Sequence, residues 1–385
     1  MEHRAGNGRA DSVTRILLGC FEVPGWGGLT TATYRLFEKM LADGLDVHYV
    51  NLILEDELPR FQKMLGPNCE NPRALPNVHS CYLRAALHEP HPELASLIDT
   101  VSPDRMVGVG DIASYLMKGA SPERELVFLT AGCMQVDRAV PFTEQLARMN
   151  GSARPDTPDW KEREAVIMSD LVLTHSPLVR ELYRRFYPDQ AHKIHPTVFW
   201  FAEWIAEDAA EYASLALPFE ERDIDALFIA SSWTRREKNS GLLTEIAKRV
   251  PDLSVHVVGE FAEPIPSATH HGFVGTRADL FRIMGRARTV VCPSFFDAAP
   301  GILFEASVMG CNVVASKNCG NWELCNDRLL VGDYTADGFA EAIRRGRVKK
   351  LSDHMDRFLD CSSYRALTAV LDGESTPRAS PALSN

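Results

Sequence analysis

Short apolar runs rich in Val, Leu and Ile alternate along the chain with longer stretches in which apolar residues recur at helical spacing. In the first half the pattern predicts strands at 14–19, 46–50, 106–109, 126–129 and 170–174. A helix over 29–43 is stopped by Gly44, and another over 159–168 is capped at Thr157 or Asp159. In the second half it predicts strands at 226–230 and 254–258, apolar residues at 273–274, and helices at 240–249 and 277–286. A buried strand at 289–294 ending in a breaker, a helix over 305–310 closed by Gly310, a strand at 312–316 and a helix at 336–345 follow, and a segment over 353–370 completes the chain. Strands alternating with helices from end to end define an α/β protein with parallel sheets covered by helices. No short internal repeat is present, which excludes solenoids and propellers. The spans 51–92 and 131–158 carry no readable motif.

Length and composition sharpen this picture. At 385 residues with 45% hydrophobic content the chain can bury a large core, and two domains are expected. The expected division is a loose tail over 1–12, a first domain over 13–200, a second over 201–352, a segment over 353–372 that crosses back to the first domain, and a loose tail over 373–385. The boundary between the domains is expected in the acid- and alanine-rich stretch 198–222. No run approaches the roughly eighteen apolar residues of a membrane span. The polar start of the chain shows no secretory signal, and the nine cysteines form no Cys-x-x-Cys pair, so reduced thiols and a cytoplasmic location are expected. A formal net charge of −11 argues against a nucleic-acid partner. Membrane contact through the basic stretch 180–186 is weighed against a plain surface helix, and the plain helix is favoured.

The most informative stretch is Asp297-Ala-Ala-Pro-Gly-Ile-Leu-Phe-Glu305. A strand, a tight turn and a helix start in this order present free backbone N–H groups and the positive end of a helix dipole, which suits a phosphate. Carboxylates beside that phosphate suit neutral hydroxyls instead, such as those of a sugar and a ribose. Two further loops stand where open sheets bind ligands, at the carboxyl ends of strands. Gly25, Gly27 and Gly28, with Trp26 among them, follow the first strand and allow close approach to backbone amides. Ser231-Ser-Trp-Thr-Arg-Arg-Glu-Lys-Asn239 follows the first strand of the second half and offers Arg235, Arg236 and Lys238 to a diphosphate. The plain alternatives are a tight turn for the glycines and a solvated basic turn for the cations.

The stretch 297–323 resembles the donor-site signature of retaining glycosyltransferases with the GT-B fold, the group of glycogen and sucrose synthases. Glu305, Ala306, Gly310, the strand at 312–316, Gly320 and Glu323 match it. The first acid departs from it, being Asp297 where the family has Glu, as does the turn, which is Pro300-Gly301. The resemblance implies two Rossmann-like domains facing a central cleft. It implies that Glu305 holds ribose hydroxyls, that Asp297 holds donor-sugar hydroxyls, and that backbone amides around Gly301, Ile302 and Leu303 orient the diphosphate. It also implies that Lys238, with an arginine five positions before it, neutralises the leaving group. Trp233 occupies that arginine's place, so Arg235 or Arg236 must substitute. Gly27 and Gly28 match the family's N-terminal glycine loop. The family's first-domain histidine has no counterpart, the strand-end loops offering Gly110-Asp111 and Thr130-Ala-Gly132 instead, and Asp111 is the acceptor-side candidate.

Asp223 and Asp225 have the spacing of a metal-binding Asp-x-Asp but precede their strand and read as structural. His175 and His195 read as core or loop residues, and no cluster has metal-ligand spacing. The expectation is transfer of a sugar from a nucleoside diphosphate sugar to an acceptor hydroxyl, with retention, without metal or cofactor. A small soluble acceptor is favoured by the acidic charge. Donor choice is expected to rest on 297–303 and 258–276, and acceptor choice on 51–92 and 131–158. A second reading is a nucleotide-sugar-binding protein that has lost transfer; an epimerase or hydrolase on the same fold is a third.

Overall fold

A computed structural model of the protein describes residues 14–84, 87–88, 90–133, 136, 160–195, 202–261, 263–358 and 362–371. Among these residues two sheets stand out. The first contains β1 (Arg15–Phe21), β2 (Asp46–Leu54), β3 (Val78–Leu83), β4 (Arg105–Val109), β5 (Leu126–Leu129), β6 (Leu171–Leu173) and β7 (Ile194–His195). Their order is β3-β2-β1-β4-β5-β6-β7, with β2–β3, β1–β2, β1–β4 and β4–β5 all parallel. Ile16, Leu17, Leu18 and Cys20 of β1 are all fully buried, as a strand covered on both faces requires.

The second sheet contains β8 (Ile224–Ser232), β9 (Val255–Glu260), β10 (Ala268–His270), β11 (Ala287–Cys292), β12 (Asn312–Ser316) and β13 (Leu330–Val331), in the order β10-β9-β8-β11-β12-β13. Every adjacent pair is parallel. The helix Ser240–Arg249 starts where Asn239 caps it, the Asn239 side chain accepting from the Leu242 N–H at 3.2 Å. It buries Leu243, Ile246 and Ala247 against a core that includes Phe228, Val257, Phe339 and Ile343.

The described residues cluster into two compact units. One holds residues up to Leu129 with Glu164–Val172 and Leu371; the other holds those from Thr130 to Arg163 and from Leu173 to Val370. Arg105 Nη1 donates to the Leu371 carbonyl at 2.7 Å within the first unit.

Several elements differ from the sequence pattern. The span 51–92 holds the end of β2, the helix Leu58–Leu65, β3 and the start of the helix Pro92–Val101. β3 escapes the pattern because it is the edge strand and buries only Cys81 and Leu83. The edge strand β10 is not among the predicted strands, and the apolar pair 273–274 lies in a loop where Phe273 is exposed. The helix expected at 305–310 runs from Gly301 to Val308, because Pro300 sets its start and Leu303 and Phe304 are already core residues. Most of 131–158, where acceptor choice was expected, lies outside the described residues, as do both expected tails.

Candidate functional site

β8 and β11 are neighbours, but the chain leaves them toward opposite sides of the sheet. Loops after two such strands diverge and leave a crevice at their carboxyl ends. The loop after β8 and the loop after β11 meet there. The Phe295 N–H donates to the Glu237 carbonyl at 3.0 Å, and Lys238 Nζ donates to Asp297 Oδ2 at 2.5 Å. These two side chains are only 18% and 15% exposed. Burial works against the lysine's charge, but Asp297 and the neighbouring Cys292 outweigh it and hold its pKa above the usual lysine value. Lys238 is therefore an ammonium at neutral pH.

Asp297 is also fixed through its backbone. Its N–H donates to the Asn318 carbonyl at 3.0 Å, and its carbonyl accepts from the Gly320 N–H at 2.8 Å. A Cβ at Gly320 would overlap the Ala298 carbonyl and the Ser176 hydroxyl, so no other residue fits beside this acid. Pro300 then begins the helix Gly301–Val308. The Leu303 N–H is taken by the Pro300 carbonyl at 3.1 Å, which leaves the amides of Gly301 and Ile302 without a partner among the described residues. Of the three expected phosphate-facing amides, these two remain available.

Glu305 is buried, and its Oε1 accepts from Arg277 Nη2 at 3.0 Å. Arg277 also pairs with Asp208 and lies 4.8 Å over the Phe281 ring. The helix Ala202–Ala210 carries Asp208 and places Ile205 against Gly301. Sequence reasoning missed this network, since nothing in the local pattern links residues 208, 277 and 305.

Trp233, where the resembled family has arginine, is a core residue whose Nε1 donates to the Val258 carbonyl at 2.9 Å. No arginine could occupy that place. Of the two possible substitutes, Arg235 is paired with Glu237, while Arg236 is exposed and has no ion pair among the described residues. Asp223 and Asp225 stand at the opposite end of β8. They are held by Arg286 at 2.9 Å and Arg288 at 2.8 Å, as structural acids.

In the first unit, Gly27 begins the helix Gly28–Ala42 and its N–H donates to Thr30 Oγ1 at 3.0 Å. The Gly28 amide has no partner among the described residues. A Cβ at either glycine would meet nothing within 4 Å. Packing does not demand glycine there, and the residues leave open space. Asp111 starts the helix after β4 and is buried. No group of three or more His, Cys, Asp and Glu among the described residues is disposed to hold a metal ion, and no helix among them is long and apolar enough to cross a membrane. The helix Pro177–Phe186 buries Val179, Leu182 and Tyr183 and pairs Arg185 with Glu181 at 2.7 Å.

His175 is buried and shares a 2.9 Å hydrogen bond through Nδ1 with Thr130 Oγ1. Burial pushes its pKa down to about 4, against the pull of Asp297. The folded protein holds this imidazole neutral, whereas the unfolded chain protonates it below about 6.5. Its share of stability is thus complete above that pH and is lost as the pH falls toward 4. Between pH 7 and pH 5 the wild type is expected to lose about 2 kcal/mol more than His175→Gln, measured by urea unfolding at each pH.

Residues 224–346, which hold β8 to the helix Ala336–Gly346, match the family model described as Glycosyl transferases group 1. No curated protein matches the sequence. The lipopolysaccharide outer core galactosyltransferase WaaB is similar in structure at a TM-score of 0.61, with 12% identity over 93% of this chain and 99% of that one. Anabaena HepE in complex with UDP and glucose is similar at a TM-score of 0.61, with 15% identity over 93% and 99%. The UDP-GlcNAc 2-epimerase of Methanocaldococcus jannaschii is similar at a TM-score of 0.54, with 10% identity over 92% and 99%. The α/β fold with two parallel sheets is that of the GT-B glycosyltransferases.

Proposed function

We propose that the protein transfers a sugar from a nucleoside diphosphate sugar to an acceptor hydroxyl. The observation that carries this reading is the Lys238–Asp297 pair at the switch point of the second sheet, beside a helix start with two unpartnered amides. In this reading the diphosphate lies on the Gly301 and Ile302 amides, with Lys238 and Arg236 supplying positive charge as the bond to the leaving group breaks. Asp297 accepts hydrogen bonds from the donor-sugar hydroxyls. Glu305 accepts those of the ribose, with Arg277 holding its carboxylate in place.

The bond from the sugar's anomeric carbon to the diphosphate oxygen breaks, a bond to the acceptor oxygen forms on the same face, and the acceptor's proton passes to the departing diphosphate. That retaining course needs no enzyme nucleophile and no metal, and the two cations take the metal's place in stabilising the leaving charge. The presence of UDP in HepE and the epimerase among structurally similar proteins makes donor binding the first point to test.

UDP-, GDP-, ADP- and dTDP-sugars are screened by thermal shift and by nucleotide release. One donor is expected to raise the melting temperature, and Glu305→Ala is expected to abolish that shift. Product analysis then separates the readings: a new glycoside means transfer, free sugar hydrolysis, an inverted centre epimerisation. Binding without any product is the outcome for a protein that has lost catalysis. No shift with any donor would sink the proposal.

A further inference from the structure

Two thiols stand beside the Lys238–Asp297 pair and have no part in the transfer reading. Cys292 ends β11, and Cys319 lies in the loop after β12, the neighbouring strand. Their sulfurs are 3.5 Å apart, the Cys319 thiol donating to Cys292 Sγ. A disulfide has its sulfurs about 2.0 Å apart, so closing the bond asks for a movement of only about 1.5 Å.

Cys292 also has the surroundings of a reactive thiol. Burial pushes the pKa of Cys81 and Cys311 up to about 11 and that of Cys20 and Cys325 up to about 12, as in inert core thiols. At Cys292 the hydrogen bond from Cys319 outweighs burial, the Lys238 charge adds to it, and the pKa lies below the usual thiol value. Cys292 keeps 5% of its surface exposed while Cys319 has none, so a small oxidant meets Cys292 first.

Cys319 is tied to Asp297 on both sides. The Asn318 carbonyl before it accepts from the Asp297 N–H, and the Gly320 N–H after it donates to the Asp297 carbonyl. Cys292 is held in the sheet opposite Ala315, so the loop residue is the one that moves. Its movement toward β11 carries Asp297 along, while Lys238 stays on the loop after β8. A shift of about 1.5 Å takes their 2.5 Å contact out of hydrogen-bond range.

We infer that Cys292 and Cys319 form a reversible disulfide whose closure draws Asp297 away from Lys238. The consequence for ligands rests on the transfer reading above: the oxidised protein no longer binds donor. The oxidant is a peroxide. Cys292 Sγ attacks one oxygen of hydrogen peroxide, an S–O bond forms as the O–O bond breaks, and the thiol's proton leaves with the hydroxide as water. Cys319 Sγ then attacks Cys292 Sγ, the S–S bond forms as the S–O bond breaks, and its proton leaves with the second oxygen as water. Two thiols and one peroxide thus give one disulfide and two waters, and a dithiol reverses the change by exchange.

The full chain is treated with hydrogen peroxide, alkylated and digested without reduction. Mass spectrometry is expected to find the Cys292 and Cys319 peptides linked, two hydrogens lighter than their sum. The Asp297 and Gly320 amides, followed by NMR, are expected to exchange tenfold or more faster after oxidation and to recover with dithiothreitol. The donor-induced thermal shift is expected to vanish and return in step. Cys319→Ala is expected to keep slow exchange and the donor shift under peroxide, which separates the disulfide from oxidation elsewhere. The inference is overturned if no such link forms, if Cys319 links to Cys325 instead, if amide exchange is unchanged by the link, or if the oxidised protein binds donor as the reduced one does. A link with faster exchange in a protein whose reduced form binds no donor upholds the disulfide and removes the transfer reading.

Discussion

Lys238→Met is expected to lower the transfer rate roughly 100- to 1,000-fold, the loss that follows removal of one preorganised charge aimed at a developing anion. The lysine is nearly buried, and its partner Asp297 is equally enclosed. Without the ammonium, Asp297 loses the ion pair that it makes among the described residues, and Arg235 is turned to Glu237. Stability should therefore fall as well, by about 3 kcal/mol. The two losses separate in the double variant Lys238→Met/Asp297→Asn. Removing both charges should return most of the stability while transfer stays lost. Urea unfolding and initial rates with the donor found by the screen measure the two effects. Recovery of activity in the double variant would mean that the pair is structural only.

Gly320→Ala is expected to have a large effect on both stability and donor binding. Its Cβ would strike the carbonyl of Ala298, which is backbone and cannot rotate away, and the hydroxyl of Ser176, which caps the helix Pro177–Phe186. The loop 297–300 must then move, and the hydrogen bond from the Gly320 N–H to the Asp297 carbonyl is the first to go. A destabilisation of about 3 kcal/mol is expected, together with loss of the donor-induced thermal shift. Gly332→Ala is the control, since a Cβ there meets nothing within 4 Å. It should stay within about 0.5 kcal/mol of wild type and keep the shift. If Gly320→Ala binds donor normally, Asp297 does not depend on this loop for its position.

Much of this site was legible because its parts lie close together in sequence. Asp297, Pro300, Gly301 and Glu305 fall within one strand-turn-helix unit, and that unit's chemistry follows from local rules of strand ending and helix capping. The helix Ser240–Arg249 and β12 have the bounds the pattern predicts, because each is covered by core on its inner face and so keeps a clear period. Edge elements such as β3 and β10 were not legible, since a half-exposed strand has no apolar run to betray it.

The amino-acid sequence by itself determined the α/β class, the strand, turn and helix start around 297–305, and the identity of the cations in the loop before Asn239. Which of these cations is paired, and with what, was decided by tertiary structure. Lys238 and Asp297 are 59 residues apart, and only the neighbouring of β8 and β11 brings them to 2.5 Å. Trp233 was taken out of the site by its place in the core, and Arg235 was bound by Glu237. Glu305 was joined to Arg277 and Asp208 across three helices. Glu22 shows the same division. Its left-handed backbone belongs to a turn that its N–H locks onto the Leu52 carbonyl of β2, a contact no local pattern encodes. Periodicity records which face of an element is buried. Which distant side chains share a charge depends on strand order, which no local pattern encodes.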